Sequence, residues 1–165
     1  MNIPAFLRQH FSHYSLLLVC FGCTFTLDVS AAKELVSITN AWVRPTNPGQ
    51  EVGAAYMSLT STKDINLVSV ESNISDSVEI HNMTMENGVM KMRMLETLPL
   101  KAGIPYKLAP GGFHLMLFGL KSPLLAGEEV SFVMTFKNKN KTLSTQKVKA
   151  KVQAPPESGA SKSSH

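Results

Sequence analysis

Short runs of alternating apolar and polar residues, separated by turn residues, recur along the chain from Leu35 onward. A period of two is the pattern of a half-buried β-strand, whereas a helix would repeat its apolar residues every three or four positions. The clearest runs cover residues 36–42, 54–59, 66–70, 77–80, 113–120 and 130–136. Their short length and even spacing predict an all-β fold, a Greek-key β-sandwich. A chain of 165 residues is most simply a single domain.

Residues 80–94 predict a β-hairpin of unusual composition, because they hold five of the nine methionines of the chain. Asn87-Gly88 is the strongest short-range hairpin signal, since both central residues of a type I′ turn have positive φ. The pairs that this turn implies are Glu86 with Val89, Met85 with Met90, Met83 with Met92, and His81 with Met94. The last three pairs then share one face, and Asn82, Thr84, Lys91 and Arg93 occupy the other.

Two interpretations of the methionine face remain open at this point. Methionine is an adaptable filler, so the face could simply pack on the core. Against this, Val78 and Ile80 form the apolar set at the base of the strand, and beyond His81 the apolar set moves to the other parity. Either a bulge turns the strand there, or the methionine face serves something other than the main core.

A second segment, His114-Leu115-Met116, presents an imidazole and a thioether on the same side of a strand. Joined to the hairpin, it completes a spaced set of donors: His81, ten residues, Met92, twenty-one residues, His114, one residue, Met116. Two imidazoles and two thioethers are neutral, soft to borderline ligands. This combination favours Cu(I) and suits Mg²⁺, Ca²⁺ or Zn²⁺ poorly. The predicted metal ligands are therefore His81, Met92, His114 and Met116.

The N-terminal residues 1–31 predict a cleaved export signal. Arg8 precedes an apolar run over residues 16–27, and small residues follow, so we expect cleavage after Ala31 or Ala32. The run is too short for the roughly 20 residues of a membrane-spanning helix. A lipoprotein signal ending at Cys23 is the alternative. Both cysteines, Cys20 and Cys23, lie in this segment, so the mature chain should have no thiol.

The predicted domain covers residues 32–153, and the C-terminal residues 154–165 predict a disordered tail with little to bury. Near the end of the domain, Lys147, Lys149 and Lys151 alternate with apolar residues, which we interpret as a protected edge strand. The net charge of +4 comes with no basic run and no interleaved aromatic residues, so the sequence does not indicate a nucleic-acid partner.

The spaced donor set resembles the pattern H-X10-M-X21-H-X-M of the PCuAC family of periplasmic copper chaperones. The likeness extends over Ile38 to Val152 and includes the stretches "AWVRPTNPGQEVGAAYMSL", "MENGVMKMR" and "PGGFHLMLFGLKSPL". It implies a cupredoxin-like β-sandwich that carries Cu(I) in the periplasm. It also implies delivery to the copper-bearing subunit of cytochrome c oxidase, for assembly of the dinuclear copper centre, alongside a Sco-type thiol protein. Some members of the family carry a His- and Met-rich C-terminal extension that helps to hold Cu(II). The tail here offers only His165 and no methionine, which argues against a strong second site, and whether His165 binds Cu(II) stays open.

We therefore expect a monomeric copper chaperone rather than an enzyme, since no spacing of Ser, His and acidic residues indicates a nucleophile with its base. An electron-transfer cupredoxin shares the predicted fold, but a blue-copper centre needs a cysteine thiolate. The remaining alternative is an exported β-sandwich that binds proteins through a methionine-rich contact patch. Met83, Met85, Met90 and Met94 lie outside the four-residue pattern, and we interpret them as a soft surround of the metal rather than as ligands.

Overall fold

Ten β-strands and no helix make up the part of the protein, residues 35–155, that the computed structural model describes. The predicted export signal, its two cysteines and nearly all of the predicted tail lie outside this range. The strands are β1 (Val36–Val43), β2 (Val52–Ser61), β3 (Ile65–Ser72), β4 (Ser77–Glu86), β5 (Val89–Leu95), β6 (Leu98–Leu100), β7 (Pro105–Leu108), β8 (Phe113–Phe118), β9 (Glu129–Asn138) and β10 (Leu143–Val152). Within residues 35–155, no helix is long and apolar enough to cross a membrane.

The strands close into a β-sandwich, which confirms the predicted all-β, cupredoxin-like, single-domain fold. The hydrogen-bonded order runs β4–β8–β2–β1–β10–β9–β3, and Val70 of β3 pairs with Val78 of β4 to complete the circuit. Most neighbours are antiparallel, but β1 and β10 run parallel, as β7 and β8 do. The long connections that this order requires are those of a Greek key.

The core lies inside this circuit and is filled by the inward residues of the alternating strands. Among its fully buried side chains are Val36, Leu59, Leu67, Leu117, Phe132 and Phe136. On β4 and β8 the inward pair is Ile80 with Leu115, and both side chains are buried. Because successive residues of a strand point to opposite faces, the next pair along these strands faces away from the core.

β10 differs from the expectation of an edge strand. It lies between β9, with which it pairs along its length, and β1, which it meets at Trp42↔Lys151 and Val43↔Val152. Its lysines are exposed while Ala150 is buried. The prediction was therefore wrong at Lys151 and Val152, where β1 covers the edge, whereas residues 143–150 pair with β9 alone. Alternation reports which face of a strand meets water, and it does not report whether the edge of that strand is paired.

Candidate metal centre

His81 and His114 stand directly opposite each other on β4 and β8. They follow the inward pair Ile80 and Leu115, so both imidazoles project from the outer face of the sheet. Their ring centroids are 5.8 Å apart and the ring planes are inclined at 47°. Only 9% of His81 and 4% of His114 is exposed, although both lie on the outer face. Two imidazoles at this separation can approach one ion from either side.

The ring of His81 is oriented by Glu79, which lies two residues earlier on the same face of β4. His81 Nε2 is 2.8 Å from Glu79 Oε2. A carboxylate only accepts hydrogen bonds, so Nε2 carries the hydrogen and the other nitrogen, Nδ1, has a free lone pair in the neutral ring. Within residues 35–155, this buried Nδ1 has no hydrogen-bond partner. A buried acceptor without a partner costs roughly 1–3 kcal/mol, which a metal ion on Nδ1 would offset.

The ring of His114 is held by the main chain of its own strand. Its Nδ1 lies 2.9 Å from the carbonyl oxygen of Gly112. Because a carbonyl can only accept, Nδ1–H donates and Nε2 keeps the lone pair that a metal requires. Metal-binding histidines commonly have their second ring nitrogen fixed in this way. Each imidazole therefore has one nitrogen hydrogen-bonded and one nitrogen free to act as a ligand.

The two predicted thioether donors lie at the same place as the imidazoles. Met116 is two residues from His114 on β8, and its backbone partner on β4 is Glu79. Met92 of β5 pairs with Met83, which lies two residues after His81 on the same face of β4. Met92, His114 and Met116 line a cleft of about 430 Å³, and the ring of His81, which does not line this cleft, lies beside that of His114.

In the described part of the chain, no three His, Cys, Asp or Glu side chains are arranged to hold a metal ion. The cleft itself offers the imidazole of His114 and the thioethers of Met83, Met92 and Met116, and the ring of His81 lies 5.8 Å from that of His114. The structure thus brings the four predicted ligands together, and metal binding by them stays a prediction.

The hairpin has the predicted register. Asn87 and Gly88 have φ values of 52° and 78°, as a type I′ turn requires, and β4 pairs with β5 from Glu86↔Val89 down to Ile80↔Leu95. The pairing of β4 with β5 and with β8 continues through His81 without a shift in register. Of the two explanations for the change of parity, the bulge is therefore excluded: the strand is regular, and the methionines face away from the core.

Residues 83–94, which we call the hairpin arm, extend beyond the neighbouring strand. The pairs of β4 with β8 end at Asn82↔Phe113, followed by one hydrogen bond from Met83 N–H to the Gly112 carbonyl. Four of the five arm methionines are exposed, Met83 being half-buried: 64% of Met85, 47% of Met90, 46% of Met92 and 57% of Met94. Packing on the core does not account for side chains with such exposure.

The opposite face of the hairpin arm is held together by charge. Glu86 accepts hydrogen bonds from Lys91 at 2.9 Å and from Arg93 at 3.0 Å. The Lys91 contact, followed by the positive charge of Arg93, lowers the pKa of Glu86 below its ordinary value. These contacts keep the only carboxylate of the arm on the polar face, so the methionine face offers neutral sulfur donors alone.

One aromatic and one cationic side chain, those of Tyr56 and Arg44, also line the cleft. The rings of Trp42 and Tyr56 stack at 4.4 Å, and the guanidinium of Arg44 lies 5.9 Å from the Tyr56 ring centroid. Burial raises the pKa of Tyr56, and the charge of Arg44 opposes that rise, so the phenol stays protonated near neutral pH. Arg44 and Tyr56 line the cleft that Met92 and Met116 border.

Sequence reasoning missed Glu79, Arg44 and Tyr56 as residues of this site. For Glu79 a signal existed, because a carboxylate two positions before a histidine on a strand must share its face. Arg44 follows the end of β1 and Tyr56 lies on β2. Nothing in their spacing to His81 or His114 indicates that they line the cleft.

The chain resembles known proteins over the described domain. The family model described as LpqE-like, a lipoprotein family, matches residues 36–152. Lxx21020 of Leifsonia xyli subsp. xyli, which is named as a lipoprotein, is 30% identical over 128 residues, 74% of this chain and 77% of its own. RP573 of Rickettsia prowazekii is 32% identical over 127 residues, 73% of this chain and 70% of its own.

Solved structures share the architecture. The Cu(I)-bound solution structure of DR1885 from Deinococcus radiodurans is 31% identical, with a TM-score of 0.50, and the match covers 75% of this chain and 81% of that one. The copper-bound PCuAC domain from PmoF2 is 21% identical with a TM-score of 0.58, covering 75% of this chain and 97% of that one. The second likeness supports the fold alone.

Proposed function

Since the chain belongs to the LpqE-like family of PCuAC-type domains, we propose that it is a non-enzymatic copper chaperone that carries Cu(I) on His81, Met92, His114 and Met116. The observation that carries the proposal is the buried Nδ1 of His81, which has no hydrogen-bond partner within residues 35–155. Its ring lies beside that of His114, and His114, Met92 and Met116 line one cleft. The donor chemistry agrees, because neutral imidazole and thioether ligands favour Cu(I). The Cu(I)-bound structure of DR1885, which is 31% identical to this chain, supports the choice of metal.

The proposed ligands differ in burial and in how their side chains are held. The imidazoles are buried and oriented by Glu79 and Gly112, whereas Met92 is 46% exposed on the hairpin arm. We therefore expect release to begin at Met92. A thiolate of an acceptor would replace this thioether first, and transfer would be favourable because thiolates bind Cu(I) more strongly than thioethers do. No step needs an acid, a base or a nucleophile from this chain.

The acceptor that we propose is the copper-bearing subunit of cytochrome c oxidase, with a Sco-type thiol protein taking part. This step is supported by the resemblance to the PCuAC family and by the preference of thiolates for Cu(I). It is tested by incubating Cu(I)-loaded protein with the soluble copper-binding domain of that subunit and following metal transfer. Retention of all copper on the loaded protein would contradict it.

The experiment that tests the copper site is titration of the folded domain with Cu(I) against a competing chelator. We expect His114→Ala and Met116→Ala each to weaken binding by more than the roughly 10–100-fold that loss of a supporting residue costs. Met134→Leu is the matched control, because it removes a thioether that is fully buried in the core. Unchanged affinity in both cleft variants would refute the site.

A protein-contact function for the methionine patch is the second candidate, and the exposure of Met85 and Met90 favours it. It predicts no copper bound at any affinity and loss of a partner on Met→Leu substitution. The same Cu(I) titration therefore separates the two functions. An electron-transfer role would require a cysteine ligand, and residues 35–155 contain none.

We also propose that the protein is exported to the periplasm, which the lipoprotein names of its family and of Lxx21020 support. The mass of the mature protein decides between two forms. Cleavage after Ala31 or Ala32 gives an unmodified soluble chain, whereas processing as a lipoprotein leaves Cys23 at the N-terminus with its lipid. An uncleaved chain would refute export by either signal.

A further inference from the structure

We propose that Met85 and Met90 form a second, weaker Cu(I) site at the end of the hairpin arm, separate from the centre. The proposal rests on the proposed function only in its choice of metal. The two residues are backbone partners on β4 and β5, directly before and after the pair that flanks the turn. They are also among the most exposed large apolar side chains of residues 35–155.

The turn type brings these two side chains close together. In a two-residue hairpin, Glu86 and Val89 form the hydrogen-bonded pair that closes the turn, so the next pair, Met85 with Met90, is a non-hydrogen-bonded one. Such pairs have the closer backbones, with Cα atoms about 4.5 Å apart and side chains on the same face. The pair Met83 with Met92 is also a non-hydrogen-bonded one, because the N–H of Met83 donates to the carbonyl of Gly112 and not to β5. Two thioethers in this position can bind one ion jointly.

The distance along the arm makes this a separate site. His81 and Met85 are four residues apart on β4, which is roughly 13 Å at about 3.3 Å per residue. One ion cannot bind both. The rung between them, Met83 with Met92, borders the cleft of the centre. From a Cu(I) ion held at the tip, the next sulfur donors toward His81 are Met83 and Met92, about 7 Å away along the strands.

The arm has the chemistry and the support that such a site requires. Its methionine face carries no carboxylate, since Glu86 is engaged by Lys91 and Arg93 on the other face. Soft, neutral donors without oxygen ligands select Cu(I) over hard cations. The charged face holds the two strands together, so the methionines are not needed to stabilise the arm. β-branched residues would suit an exposed strand pair better if packing or strand propensity were the only requirement.

The test is Cu(I) titration of the domain together with NMR of the methionine methyl groups, using Ag(I) as a redox-inert probe in parallel. We expect two bound equivalents, with the Met85 and Met90 methyl signals shifting only during the second. In Met85→Leu/Met90→Leu the second equivalent should be lost, while the affinity for the first changes by less than about threefold. Val89→Ala is the matched control, because it alters an equally exposed residue of the arm that offers no sulfur.

The outcomes separate this inference from the proposed function. Two results would overturn the outer site and leave the centre intact: a single equivalent that leaves the Met85 and Met90 signals of the unaltered protein unshifted, or a second equivalent that survives in the double variant. A single equivalent that shifts these signals in the unaltered protein and is lost in the double variant would refute the proposed centre and support the outer site. Thermal unfolding of each variant checks that the domain is folded.

Discussion

Glu79 fixes the hydrogen-bonding state of His81, so its removal should weaken Cu(I) binding although Glu79 itself is not a predicted ligand. In Glu79→Ala the Nε2–H of His81 loses its acceptor at 2.8 Å. The ring is then free to move its hydrogen to Nδ1, the nitrogen that we assign to the metal. Loss of such an orienting partner typically costs 10–100-fold in metal affinity, which is about 1.4–2.7 kcal/mol.

The matched variant is Glu79→Gln, which removes the charge and keeps an oxygen that can accept from Nε2–H. If the role of Glu79 is to orient the ring, this variant should retain affinity within about fivefold, and Glu79→Ala should lose at least about tenfold. The assay is chelator competition for Cu(I), combined with NMR of the imidazole nitrogens of the metal-free protein. That spectrum reports which nitrogen of His81 carries the hydrogen, and a purely structural role for Glu79 would leave it unchanged.

Two results would refute this reasoning. One is unchanged copper affinity in Glu79→Ala. The other is an equal loss in Glu79→Gln and Glu79→Ala with Nε2 still protonated in both, because the negative charge rather than the hydrogen bond would then be the cause.

Three further predictions concern the scaffold. The Ala102 amide, and then Lys139 and Lys101, lower the pKa of Asp64 to about 2 from 3.8, so its stabilising contribution is complete above about pH 4 and is lost as the pH falls toward 2. Asp64→Asn should therefore flatten the fall in melting temperature over that interval, and an unchanged slope would contradict this. Gly119→Ala should destabilise the protein more than Gly103→Ala. Both glycines have positive φ, where a Cβ costs about 1–2 kcal/mol, but only a Cβ at position 119 would also clash with the side chain of Asp76. Equal melting temperatures would count against it. Phe132→Ala should cost about 3–5 kcal/mol in urea unfolding, since the ring is fully buried, and a cost below 1 kcal/mol would contradict that packing.

The hairpin and its donors were predictable because the signals there are local. Asn87-Gly88 specifies the turn, the turn specifies the register, and the register specifies which methionines share the face of His81. The fold class was predictable for a similar reason, since apolar and polar residues alternate along most of the strands, including the exposed strands of the hairpin arm.

Other features depend on contacts between distant segments. β6 and β7 contain three and four residues, too few for alternation to be recognised, and both are defined by pairing with β3 and β2. Whether the methionine face packed or was exposed could not be decided from its residues. It depends on β8 beginning only at Phe113, opposite Asn82, which leaves the hairpin arm without a neighbouring strand on that side.

The four predicted ligands also differ in when they can come together during folding. His81 and Met92 belong to one hairpin, and such local pairs form within microseconds. His114 and Met116 join them only when β8 pairs with β4, a contact between segments more than 30 residues apart that must overcome a larger loop-closure entropy. A partly folded chain therefore offers a nascent hairpin without the second imidazole. Full affinity for copper would then be a property of the completed sandwich, and copper would in turn stabilise that state over the unfolded chain.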